Sequence, residues 1–338
     1  MSATAPYPSL LDNVAPLALG EAVVAAAFLD EAPVFALANG ELHFGDGAEG
    51  RRLPAHPGAA ILAAANDARH IVTGGDDGRV VLTSAAGDME TIGDEKGKWI
   101  DAAALRDGAA AWSAGKIVRA RSAKGETKTL DIPSTSRGLA FFPKGYRLAI
   151  AHYNGATLWF PNAGKPETLA WAGSHIDATI SPDGRFLVTS MQENALHGWR
   201  VADAKNMRMA GYPGKTRSFS WSHDGKWLAT SGADACIVWP FSGKDGPMGQ
   251  APRECGVRAN TPVTRVAFHP SALVVAIGFD DGLILLARLT DGSELLARRP
   301  VEDAKQARIA ALAWDAKGAR LAFGAENGDA GVLTLPKG

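Results

Sequence analysis

Ile180-Ser181-Pro182-Asp183-Gly184-Arg185-Phe186-Leu187-Val188-Thr189-Ser190 is the stretch on which the fold turns. An apolar residue closes one strand, a tight turn reverses the chain, and Leu187 stands seven residues on in the next strand. The pattern returns as Trp221-Ser222-His223-Asp224-Gly225-Lys226-Trp227-Leu228-Ala229-Thr230-Ser231, and again from Trp314 to Leu321 and Gly324. A unit that recurs at a fixed period sets the architecture before any other reading does. Anchored on the last apolar residue before the first turn, the units start their reversal at Phe28, Ala64, Leu105, Phe141, Ile180, Trp221, Phe268 and Trp314. The intervals are 36, 41, 36, 39, 41, 47 and 46 residues, near the period of roughly 40–45 expected of a four-stranded propeller blade.

Each unit reads as strand, turn, strand, turn, strand. Unit seven predicts strands over 263–268, 273–278 and 283–288. Between its second and third strands lies Asp281-Gly282, where other units carry Asn39-Gly40, Asp77-Gly78, Asn154-Gly155 and Asn327-Gly328. These pairs supply the positive φ that a two-residue hairpin demands. A shorter fourth strand is predicted over 126–130, 166–171, 206–210 and 293–298. The last unit lacks one, and an apolar stretch over 15–19 precedes the first anchor at about the right distance to supply it. The expected fold is therefore all-β: a closed β-propeller of four-stranded antiparallel blades, with the N-terminal strand completing the C-terminal blade and removing the open edges. Eight blades are expected, with seven as the alternative if the degenerate first or third unit is not a blade. Residues 15–336 form one domain, and residues 1–14 are expected to be a flexible lead-in.

The Ser181–Gly184 turn, the Leu228-Ala229-Thr230-Ser231 run and the tryptophans Trp159, Trp199 and Trp239 near the ends of third strands resemble the WD40 repeat family. The resemblance spans about residues 15–336 and is strongest in units four to eight. Here Trp is followed by Phe160, Arg200 and Pro240 rather than Asp, and the family's buried His/Ser/Asp/Trp network is incomplete in every unit. The resemblance implies a rigid disc that recruits protein partners on the face bearing the loops that lead into the innermost strands.

Those loops place Arg137, Arg217, Arg265 and Arg308 at equivalent positions, with His175 and Asp177 in unit five and Trp99 in unit three. The turns between second and third strands add His152, Tyr153 and Phe279 to the same face. Arginine with aromatics is the composition enriched in interface hot spots, and several arginines around a channel mouth suit an acidic peptide or a carboxylate. The competing reading is a solvated face on which each Arg pairs with a local acid such as Asp76, Asp234, Asp280 or Glu326.

A net charge of −1 offers no bulk attraction to nucleic acid or to an anionic membrane. Two cysteines, Cys236 and Cys255, are too few for a disulfide framework and read as reduced thiols. No secretory leader and no run of roughly 20 apolar residues is present, so a cytoplasmic location is expected. The eight histidines form no metal-spacing pair, and no nucleophile elbow, haem motif or phosphate loop occurs. No cofactor, no metal and no catalytic residue is therefore expected. The reading is a non-enzymatic scaffold or adaptor, monomeric or part of a larger assembly, whose partner is a protein. The alternative is a propeller enzyme or small-ligand binder working at the channel mouth.

Overall fold

Residues 8–47, 49–301 and 307–336 are described by a computed structural model. Outside units four and five, the strands that the hydrophobic pattern places form within about a residue of their expected bounds. Unit seven runs Val263–Phe268, Val274–Phe279, Ile284–Arg288 and Glu294–Arg298 as one antiparallel sheet. The degenerate units are complete as well: Val23–Leu29, Ala32–Leu37, Glu41–Phe44 and Arg51–Pro54 make the first sheet. Ala102–Arg106, Ala109–Ala114, Ile117–Arg121 and Thr127–Asp131 make the third.

The described strands fall into six sheets of four strands and one of six. Counted as hydrogen-bonded sheets, the propeller has seven blades, the alternative count. The cause lies in units four and five, not in the degenerate ones. Leu148–Trp159 and Glu167–Ile180 are long bent strands, and the second serves in both halves of the six-stranded sheet, pairing with Leu148–Trp159 on one side and Phe186–Met191 on the other. The pair Tyr153–Ser174 bridges the two units, and the register shifts on either side of it, between Tyr153 and Gly155 and between His175 and Asp177. Asn154 at φ 66° and Gly155 at φ 142° absorb the reversal without ending the ladder. One blade thus carries two sequence units.

The ring closes at its ends. Val14–Ala18 pairs antiparallel with Asp329–Thr334, from Val14 opposite Leu333 to Ala18 opposite Asp329. Leu17 and Leu19 bury themselves with Phe28, Phe35, Ala330 and Val332, so closure is held by apolar burial as well as by the ladder. Order reaches beyond the expected lead-in boundary. Leu10 N–H donates to Leu296 O at 2.8 Å and Leu296 N–H to Pro8 O at 2.9 Å, and Leu10 packs with Ile284, Leu286 and Phe323. Residues 8–14 are therefore docked on the edge of unit seven; residues 1–7 of the expected lead-in lie outside the described residues.

The deciding turns repeat atom for atom. Ser181 Oγ donates to Asp183 Oδ1 at 2.7 Å and accepts from Phe186 N–H at 2.9 Å. Ser222 Oγ does the same with Asp224 at 2.7 Å and Trp227 at 3.0 Å. Neighbouring units are keyed together by close approach. A Cβ on Gly278 would fall 2.5 Å from Ile309 Cγ2, and one on Gly324 2.5 Å from Val23 Cγ1. The missing side chain there lets the first residue of the next inner strand seat against the sheet. Cys236 and Cys255 are free and stand opposite each other on paired strands. Among the described residues no helix is long and apolar enough to cross a membrane.

Candidate functional site

The loops that lead into the inner strands are anchored from below by a repeated hydroxyl. Thr73, Thr189 and Thr230 occupy the same position in second strands, and each is met by a ring from the preceding loop. His56 Nε2 lies 2.9 Å from Thr73 Oγ1, with its Nδ1 3.1 Å from Asp77. His175 Nδ1 lies 2.7 Å from Thr189 Oγ1, and its Nε2 3.1 Å from Trp171 O. In unit six a tyrosine replaces the histidine. Trp239 Nε1–H donates to Tyr212 Oη at 2.6 Å, and Tyr212 Oη lies 2.7 Å from Thr230 Oγ1. Burial lowers the His56 and His175 pKa values below the ordinary histidine range. Neutral rings hold these loops in place, and three members of the family's network are thus present in unit two.

On this footing a cavity of about 570 Å³ opens at the channel mouth. Its walls come from five units: Asp101, Thr135 and Arg137, residues 174–177 of the long strand Glu167–Ile180, Ser190 and Gln192, Lys215 to Arg217, and Arg265. Four basic side chains therefore face two carboxylates. Arg137 and Arg217 are exposed, and among the described residues neither guanidinium has an ion-pair or hydrogen-bond partner. Arg265 is held more deeply: Nε donates to Ala310 O at 2.5 Å and Nη1 to Thr264 O at 3.1 Å. Burial, reinforced by the charge of Arg308, lowers its pKa from the ordinary value. Ser190 is fully buried, lines the cavity, and its Oγ has no partner. Asp177 accepts from Ala178 N–H at 2.8 Å. Burial raises its carboxyl to about 6, against the pull of Ala178 N–H, Arg265 and Arg137.

Five of the residues singled out by sequence thus share one cavity: Arg137, Arg217, Arg265, His175 and Asp177. Arg308 lines the adjoining depression with Lys215, Arg217 and Asp280. It sits 3.6 Å from Asp280 and 3.7 Å from Glu326, so local acids offset its charge. Trp99, 67% exposed, lines a depression on the other side, and Tyr153 is 57% exposed. Three expectations are corrected. Phe279 is fully buried in the unit-seven core beneath Arg258 and offers no surface, because alternation turns it inward one residue before the Asp280-Asp281-Gly282 turn. His152 is buried, bonded to Thr157 Oγ1 at 2.8 Å and to Tyr153 O at 2.9 Å. His175 reaches the cavity wall but commits both nitrogens to the scaffold. Lys215, Ser190, Gln192, Thr135 and Asp101 escape the sequence reading. Lys215 alone carried a signal, two residues before Arg217 on the same loop.

Two family models match the chain: the anaphase-promoting complex subunit 4 WD40 domain over residues 259–338, and the WD domain, G-beta repeat over residues 208–239. No curated protein matches it. Among solved structures, the crystal structure of the computationally designed Ika8 protein superposes with a TM-score of 0.76 at 18% identity, covering 94% of this chain and 97% of that one. At such identity the likeness speaks to fold alone. The repeated turns, the closed ring of antiparallel sheets and the two repeat matches together support a WD40-repeat β-propeller.

Proposed function

We propose that the protein is a non-enzymatic interaction scaffold whose channel-mouth cavity receives an acidic segment of a protein partner. The observation that carries this reading is the convergence of Arg137, Arg217, Arg265 and Lys215 on one cavity, with the first two guanidiniums unpaired among the described residues. Guanidinium forks bind carboxylates bidentately, and a preformed rigid site loses little entropy on docking. The family supports the class of function: WD40 domains generally mediate protein–protein contacts. One of the matching models is itself a domain of a complex subunit.

The test is fluorescence anisotropy of a fluorescein-labelled Glu-rich decapeptide against the full chain, with a Lys-rich peptide as control. The Glu-rich peptide is expected to bind and to weaken with salt. The Arg137→Ala/Arg217→Ala variant is expected to lose about tenfold or more of that affinity, from two charge-assisted contacts. Equal binding by the variant, or a small dicarboxylate that binds while every acidic peptide fails, overturns the reading in favour of another face or a small ligand.

A further inference from the structure

We infer that the partner segment is bipartite, pairing the acidic residue that enters the arginine cavity with a flanking apolar or aromatic side chain that covers Trp99. This rests on the reading of the cavity as an acidic-segment site and adds a second determinant from a different observation. Beside the arginine cavity lies a shallower depression of about 580 Å³, floored by Ala114, Gly115 and Ile117 and walled by Trp99. The two share Asp101 and Thr135 as common walls, so one extended segment can cross from one to the other without leaving the surface.

Trp99 is a large side chain left two-thirds exposed, which is unusual for tryptophan in a well-packed fold. Its exposure is not fraying. Ile100, next to it, is fully buried, and its N–H donates to Gly75 O at 3.1 Å. Asp101 N–H donates to Ser113 O at 2.8 Å, and Lys98 N–H to Glu95 O at 2.9 Å. The backbone is pinned on both sides of Trp99, so the ring is presented on a rigid base. The second exposed aromatic of this face lies on the same side: Tyr153 N–H donates to Ser134 Oγ at 2.8 Å, one residue from the shared wall Thr135. Lys98 and Lys116 line the depression, extending the positive field over it. An acidic segment interrupted by an apolar residue matches that sequence of surfaces, whereas a purely acidic one leaves the indole wet. Aromatic anchors of this kind carry much of the energy of peptide recognition.

The probe is a set of fluorescein-labelled peptides with a Glu-Glu core in a Gly-Ser background, with and without one Leu placed one to six residues to either side. At one or two adjacent spacings the Leu is expected to tighten binding to the full chain by about fivefold to thirtyfold, the worth of burying one aliphatic side chain. Trp99→Ala is expected to erase that gain while leaving the Leu-free peptide within about twofold of the wild type. Because Trp99 is on the surface, the variant keeps its fold, which circular dichroism checks. If Leu helps at no spacing, or helps the Trp99→Ala variant equally, the bipartite reading is overturned while the acidic-segment reading stands. If the Leu-free peptide fails to bind the wild type at all, both fall.

Discussion

Asp177 is the residue on which the cavity's charge balance depends. Burial holds its carboxyl at about 6, and the groups that face it are Arg137, Arg265, Arg217, Lys215, Asp101 and the neutral His175. Above that value it is ionised and cancels one positive charge; below it the cavity is more basic. Affinity for an acidic peptide is therefore expected to rise several-fold as pH falls from 7.5 to 5.5, a range in which free Glu side chains stay ionised. Asp177→Asn is expected to bind tightly at pH 7.5 and to flatten the profile; an unchanged profile refutes the assignment. The sign for stability is the opposite of a salt-bridged carboxylate. The native state holds this proton more tightly than the unfolded chain, whose value is near 3.8. Its contribution to stability therefore falls as pH rises from about 4 to about 6. At this scale the sequence was informative about type and position but not about direction. Arg137 and Arg217 point into the cavity as their loop positions suggest, while Phe279, at an equally plausible position, turns into the core.

At the scale of the element, strand and turn positions follow from local chemistry, and pairing between units follows from packing. The Asp-Gly and Asn-Gly reversals and the Ser-x-Asp turns are legible because each satisfies its own backbone groups within a few residues. The bridge between Tyr153 and Ser174, by contrast, is made between two consecutive strands, each of which runs on through the point where the sequence pattern expects a reversal. Nothing local distinguishes a hairpin that stops from one that continues. The closing strand Val14–Ala18 gives an element-scale prediction. Leu17→Ala removes a buried side chain from the cluster with Phe28 and Phe35. It is expected to cost about 2–5 kcal/mol, read as a lower urea midpoint. Because release of this strand bares the edge of Asp329–Thr334, the variant is also expected to aggregate at temperatures the wild type tolerates. A midpoint indistinguishable from wild type would mean that closure does not depend on this burial.

The whole molecule carries an acid sensitivity that no single blade reveals. His43, His56, His175 and His197 all have lowered pKa values, in each case chiefly through burial, and His197 is pushed down to about 3. His197 stacks on Trp171 with ring centroids 4.0 Å apart and meets Trp199 edge-on at 4.5 Å, with neither nitrogen hydrogen-bonded. In the unfolded chain these rings take up protons near 6.5, and in the native state they resist. Stability is therefore expected to fall as pH drops below about 6.5 and to go on falling toward 3. A series of melting temperatures from pH 7.5 to 4 checks this. His197→Phe, which keeps a ring between the two tryptophans, is expected to make the decline shallower. A slope unchanged by that variant would place the acid response elsewhere.

The sequence by itself determined the all-β class, the period of the units, the turn chemistry, the strands and the closure of the ring. Each of these rests on interactions within a few residues or on the alternation of apolar side chains. Tertiary structure alone decided that units four and five share a sheet. It alone decided that residues from Asp101 to Arg265 meet in one cavity with Lys215 and Ser190 among them, and that His175 ties its strand to Thr189 and Trp171. The physical reason is that a channel mouth is assembled from one short loop of each of several units. Each loop's sequence specifies its own turn, but the direction of its side chains is set by neighbours that are distant in the chain.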